Sequence, residues 1–191
     1  MLKTKSGKSW VTWADTNAAN SSSVDDLAEP FRTSVKDFIA ALQDAGATVS
    51  IEATRRPAKR AYLFHWSWMI ALGKVKPAHA RSMAGVDIEW DHGDLAKSKA
   101  AAMEMVRGFG LAIPPKSTVA PALSSNHIAG KAIDMSITWA GILKVKKKDG
   151  KEVSIHYMLN PNQNHKLHEV GVSYGVRKLR TDAPHWSSNG G

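Results

Sequence analysis

The stretch Ser125-Asn126-His127-Ile128-Ala129-Gly130-Lys131-Ala132-Ile133-Asp134 constrains the fold more than any other part of the chain. It joins a polar turn to an alternating run. The join is made at Gly130, which accepts a sharp bend that a Cβ would obstruct. From Ala132 to Trp139 the sequence reads as a strand. Ile133, Met135 and Ile137 share one face; Ala132, Asp134 and Ser136 share the other. Asp134 is thus a carboxylate on a rigid element, turned away from the main apolar row. His127, in the turn before it, lies within reach of that carboxylate.

The remaining elements can be placed around this strand. Asp25 or Asp26 caps a helix from about Leu27 to Ala45, with Phe31, Val35, Phe38, Ile39 and Leu42 on one face and Gly46 at its end. Thr48–Ala53 alternates as a strand. Pro57 sits at the first position of a helix over 58–72. That helix carries Tyr62, Leu63, Phe64, Trp66, Trp68, Met69, Ile70 and Leu72, is apolar nearly all round, and is expected to be buried. Gly85–Trp90 reads as a short extended piece, 95–108 as a helix with Met103, Val106 and Phe109 inward, and Val119–Leu123 as a short extended run. Ile142–Val145 and Val153–Tyr157 flank Asp149-Gly150, a strong hairpin signal. Asn160–Asn164 reads as a loop, His165–Tyr174 as a helix and Val176–Leu179 as a strand. Helices and mainly antiparallel strands are segregated, so the class is α+β. No internal repeat is present.

The length of 191 residues suits one domain. The expected division is an extension over 1–25, a domain over 26–187 and a tail over 188–191. Trp10 and Trp13 in the extension are expected to pack onto the domain, and Asn17–Ser23 to form a flexible linker or a capping loop. Cysteine is absent, which excludes a thiol nucleophile, a cysteine zinc finger and a disulfide framework. The first residues are basic but lead into no apolar signal segment, and no run is long enough to span a membrane. The expectation is a soluble monomer made in the cytoplasm. The net charge of +9 reads either as solubility with solvated faces or as attraction to an anionic polymer, nucleic acid or bacterial cell wall. No nucleic-acid motif is recognised, so a stable nucleic-acid partner is not expected. Lys146 to Lys151 read as a solvated hairpin tip.

Two of the eight histidines stand out by their company. His168-Glu169 would need a second histidine at position 172 to read as a zincin motif, and Val172 stands there. His127 precedes Asp134 by seven residues, and Asp182 precedes His185 by three. Each histidine is expected in a polar loop beside a strand. Two imidazoles and one carboxylate suit a zinc ion with a fourth position left open for water. The spare carboxylate, Asp182, is then a candidate general base. Arg55 and Arg56 lie in a basic turn before the buried helix and are candidate cations for an oxyanion or a substrate carboxylate.

Ser125-x-His127-x-x-Gly130-x-Ala132-x-Asp134, followed downstream by Asp182-x-x-His185-Trp186, resembles the motif pair of the D-Ala-D-Ala carboxypeptidase (VanY-type) zinc peptidases. The likeness extends over about residues 48–187. It implies a small antiparallel sheet with helices on one side and a zinc site on the sheet face, as in hedgehog and D-Ala-D-Ala peptidase folds. It implies His127, Asp134 and His185 as ligands of Zn2+ and Asp182 as base. The family's arginine turn aligns with Ala53-Thr54-Arg55-Arg56-Pro57, which gives Arg56 a role with substrate, and Ser125 is a further substrate contact. Trp186 after His185, and Asp as base, are similar to the phage endolysins that cut the L-Ala–D-Glu bond. The implied activity is hydrolysis of a stem-peptide amide of peptidoglycan, by a phage lysis enzyme or a delivered effector acting at the wall or in the periplasm. A non-catalytic zinc-bearing wall module and a basic nucleic-acid-binding protein are the alternative readings.

Overall fold

The structure is a computed structural model of the chain and describes residues 4–158, 160 and 163–191. The predicted loop at Asn160–Asn164 therefore lies partly outside the described residues. Among the described residues the chain is α+β, with five α-helices and small, largely antiparallel sheets. It divides into two compact units. The helical unit is Met1–Asn20 with Arg56–Ser125; the sheet unit is Ser21–Arg55 with Asn126–Gly191.

The sheet unit is built on four antiparallel strands in the order β2-β4-β8-β7, with β2 at Thr48–Ala53, β4 at Ala132–Thr138, β7 at Arg177–Lys178 and β8 at His185–Ser187. β4 is central, as its alternation requires. Ile133, Met135 and Ile137 are buried, while Ser136 and Thr138 are exposed. The buried row meets Phe31, Val35, Phe38 and Leu42 of helix α2, Phe31–Asp44, in one apolar core. α2 starts later than its periodicity suggested. Residues Val24–Asp26 form a separate 3-10 turn, and Pro30 takes the N-cap position. The hairpin β5, Ile142–Lys146, and β6, Glu152–His156, forms as expected but as its own two-stranded sheet. It adds Leu143, Val145 and Ile155 to the same core, beside Leu167 and Val170 of helix α5, His165–Ser173.

The helical unit is organised by α3, Ala58–Ala71, packed on α4, Leu95–Gly108. α3 is buried on nearly every side, with Tyr62, Leu63, Trp66, Trp68 and Ile70 inside. Pro57 is its N-cap residue rather than its first helical one, and Asp94 caps α4 by accepting from Lys97 N. Residues 4–20 belong to this unit. They supply strand β1, Thr4–Lys5, paired in parallel with β3, Ile88–Glu89, and helix α1, Ser9–Asn17. Trp10 and Ala14 of α1 are buried with Tyr62 and Trp66, which places this segment inside a core. Val119–Leu123 is not a strand.

Candidate metal centre

Asp134 and His185 are cross-strand neighbours in the β4–β8 ladder. This pairing corrects the expectation that His185 lies in a loop: it opens β8 and is buried. His127 comes from the turn over 126–130. That turn is tied by Lys131 N donating to Asn126 O (2.7 Å) and Ala28 N donating to Gly130 O (2.9 Å). Gly130 has φ +67°, and a Cβ there would stand 2.9 Å from Ala28 N, so the bend requires glycine for both conformation and space.

Three ligand-type atoms converge. His127 Nε2 is 3.2 Å from His185 Nδ1 and 3.3 Å from Asp134 Oδ1, and His185 Nδ1 is 3.1 Å from Asp134 Oδ1. A tetrahedral ion with bonds of about 2.0–2.1 Å sets its ligands about 3.3 Å apart, so the triangle has the edge such an ion demands. The tautomer of His127 fits as well. Its Nδ1 lies 2.7 Å from Thr54 O, a carbonyl that can only accept, so Nδ1 carries the proton and Nε2 turns its lone pair inward. Two imidazole nitrogens and a carboxylate oxygen in such a triangle repel one another unless a cation or proton lies among them. His127, Asp134 and His185 thus form a group that could hold a metal ion. Burial raises the Asp134 carboxyl, but the hydrogen bonds and charge of His127 and His185 outweigh it and hold the group well below the usual carboxylate range. His185 Nε2 is buried with no hydrogen-bond partner among the described residues.

Asp182 is exposed, in the connection between β7 and β8. Its N donates to Leu179 O at 3.3 Å and its O accepts from His185 N at 3.2 Å. The Lys178 ammonium is close enough to feel the charge of both Asp182 and Asp134, although burial, the larger influence, lowers its pKa. A cavity of about 420 Å³ runs beside β4, lined among others by Glu52, Ser136, Thr138, Lys178, Pro184 and Trp186, and by none of His127, Asp134 and His185. Ser136 Oγ donates to Glu52 Oε1 at 2.6 Å on that wall.

The two arginines fall in different units. Arg55 is exposed in the sheet unit, and its carbonyl accepts from Ser21 N. Arg56 is in the helical unit with its guanidinium over the Phe64 ring, 5.5 Å from the centroid. Ser125 is exposed at the end of the helical unit. Sequence reasoning missed Thr54, which acts through its backbone carbonyl, and Lys178, whose partners are also carbonyls. Neither role leaves a residue-type signal. No protein-family model matches the chain, and no curated protein matches it.

Proposed function

We propose that this chain is a zinc-dependent peptidase that hydrolyses an amide bond of the peptidoglycan stem peptide, with the fold of the hedgehog and D-Ala-D-Ala peptidase type. The observation that carries the reading is the ligand triangle of His127, Asp134 and His185, with edges of 3.1–3.3 Å. The two motifs that supply it also supply Asp182 three residues before the last ligand. Zinc, when bound, activates water and polarises a carbonyl as a Lewis acid.

The protein's own groups do the rest. Thr54 O fixes the ring of His127 and keeps its Nδ1 protonated. The β4–β8 ladder holds Asp134 and His185 at one register. The Asp182 carboxylate takes a proton from the attacking water and delivers it to the nitrogen of the leaving amine. The resemblance assigns substrate contact to Arg56 and Ser125. The positive net charge suits an anionic wall. The enzyme acts there, or in the periplasm, after release or injection.

Mass spectrometry of muropeptides after incubation with purified, zinc-loaded protein tests the reading. The expected result is a new pair of fragments with one free amine per cut. A protein that holds zinc yet releases nothing from several wall chemistries would leave the non-catalytic wall module instead.

A further inference from the structure

The backbone between β7 and β8 closes into a ring of three hydrogen bonds. Leu179 N donates to His185 O (3.1 Å), His185 N to Asp182 O (3.2 Å) and Asp182 N to Leu179 O (3.3 Å). The same three carbonyls converge on one further donor, the ammonium of Lys178. Its Nζ donates to Leu179 O at 2.7 Å, Asp182 O at 2.5 Å and His185 O at 3.0 Å. Each carbonyl therefore uses both lone pairs, one on an amide and one on the ammonium, and the ammonium uses all three of its protons. The Trp186 ring lies 5.7 Å from Nζ.

Three carbonyl dipoles pointing at one spot repel one another. A cation at that spot reverses the sign of the interaction. The chain thus carries its own cation in a cradle that has a metal ligand, His185, and the candidate base, Asp182, at two of its three corners. A lysine suits this place better than an arginine. Its donors radiate from a point, whereas a guanidinium presents them in a plane.

We propose that Lys178 is the positioning residue of the site: its ammonium holds the turn from Leu179 to His185 closed, and so fixes both the His185 imidazole and the Asp182 carboxylate. The part about Asp182 rests on the peptidase reading; the part about His185 does not. Lys178 touches neither substrate nor metal in this role. Because its three protons are consumed, it is not a substrate-binding cation, although it lines the cavity beside β4.

The test uses Lys178→Ala and Lys178→Arg in the full chain, with two readouts. Zinc affinity is measured by competition with a chromogenic chelator. Turnover is measured on purified peptidoglycan as kcat and KM. Lys178→Ala is expected to weaken zinc binding about tenfold or more, the scale typical of outer partners of metal ligands. It is also expected to lower kcat while leaving KM within about twofold, since no substrate contact is lost. Added ethylammonium, which can re-enter the cradle, is expected to restore much of both; tetramethylammonium, with no N–H, is not. Lys178→Arg keeps the charge and guards against a variant that does not fold, and it is expected to fall between wild type and Lys178→Ala.

Wild-type zinc affinity and kcat in Lys178→Ala overturn the proposal. So does a loss matched by bulk unfolding in both variants and untouched by ethylammonium. Zinc affinity that falls and is rescued, in a protein that cleaves no wall, sustains the cradle and rejects the peptidase reading instead.

Discussion

The two units of this molecule use opposite means to make a stable surface. The sheet unit holds thirteen Lys and Arg against eleven Asp and Glu, a net +2; the helical unit holds thirteen against six, a net +7. In the sheet unit Lys36, Lys147, Lys148 and Lys151 meet Asp25, Glu169, Asp37 and Asp149. In the helical unit, among the described residues, no lysine from Lys5 to Lys116 pairs with a carboxylate, while Arg60 meets Asp15 at 2.9 Å. The cores differ as well. The sheet unit buries mostly aliphatic side chains around β4, and the helical unit packs Trp10, Trp66, Trp68 and Trp90 around α3. The lesson is a division of labour. The unit whose charges are largely paired carries the candidate ligand triangle, where a stray field would disturb ionisation. The unit with uncompensated charge carries none of the three candidate ligands.

The largest expected effect tests where the metal belongs. Asp134→Ala removes one of the three candidate ligands and leaves two imidazoles facing each other. Affinity for zinc should fall by more than about a hundredfold, beyond what loss of an outer partner costs. His127→Ala should behave alike. Full zinc occupancy in both variants, measured by elemental analysis of the dialysed protein, would place the metal elsewhere and break the assignment to the sheet unit.

Next comes the proposed base. Asp182→Asn keeps the shape of the turn, and its backbone bonds to Leu179 and His185 remain available. It cannot accept a proton. Turnover should drop on the order of a hundredfold to ten-thousandfold with zinc still bound. Wall digestion at the wild-type rate would show that another group does this work.

A change in the other core sharpens the contrast. Trp68 is fully buried in the helical unit and donates from Nε1 to Ala112 O at 2.9 Å. Trp68→Ala should cost about 3–5 kcal/mol in chemical denaturation. Because no residue of that core is shared with the one under β4, zinc affinity of the folded variant should stay within about twofold. A parallel loss of zinc would mean that the two cores are energetically one.

A pair of glycines makes the same point on a smaller scale. Gly130 and Gly110 have φ of +67° and +66°, one in each unit. A Cβ on Gly130 would press on Ala28 N at 2.9 Å; on Gly110 it would meet nothing within 4 Å. Gly110→Ala should cost about 1–2 kcal/mol, from the left-handed backbone alone. Gly130→Ala should cost more, and should also weaken zinc binding by displacing His127. Equal costs with unchanged zinc affinity would deny the turn its role.

These contrasts also show what could be read from residues alone. The β4 alternation, the glycine bend and the pairing of His127 with Asp134 are local patterns, and each survives in the structure. Strand β8 was not legible, because three residues, His185-Trp186-Ser187, show no period and become a strand only between β4 and β7. Helix α1 was hidden for a similar reason. It is only nine residues long and has no side-chain cap, and Trp10 and Ala14 gain their meaning only against α3 and α4. The Lys178 cradle is invisible to sequence in principle, since its partners are backbone carbonyls that every residue has.

The smallest expected effect bears on the charge contrast itself. Lys76 is exposed in the helical unit and has no ion-pair partner among the described residues. Near an anionic surface such a lysine contributes about 1 kcal/mol at low ionic strength, and the contribution decays within a Debye length of about 8 Å at 0.15 M salt. Lys76→Gln should therefore weaken adsorption to anionic cell wall about fivefold in low salt, and much less at physiological salt. Lys151 in the sheet unit already sits 3.3 Å from Asp149 Oδ2. Lys151→Gln deletes the same formal charge, but the cation it removes was locally cancelled, so adsorption should change less. Sedimentation of the two variants with purified wall across a salt series decides between them. A larger loss from Lys151→Gln than from Lys76→Gln would mean that the wall meets the sheet unit, and that the +7 of the helical unit only keeps the protein dispersed.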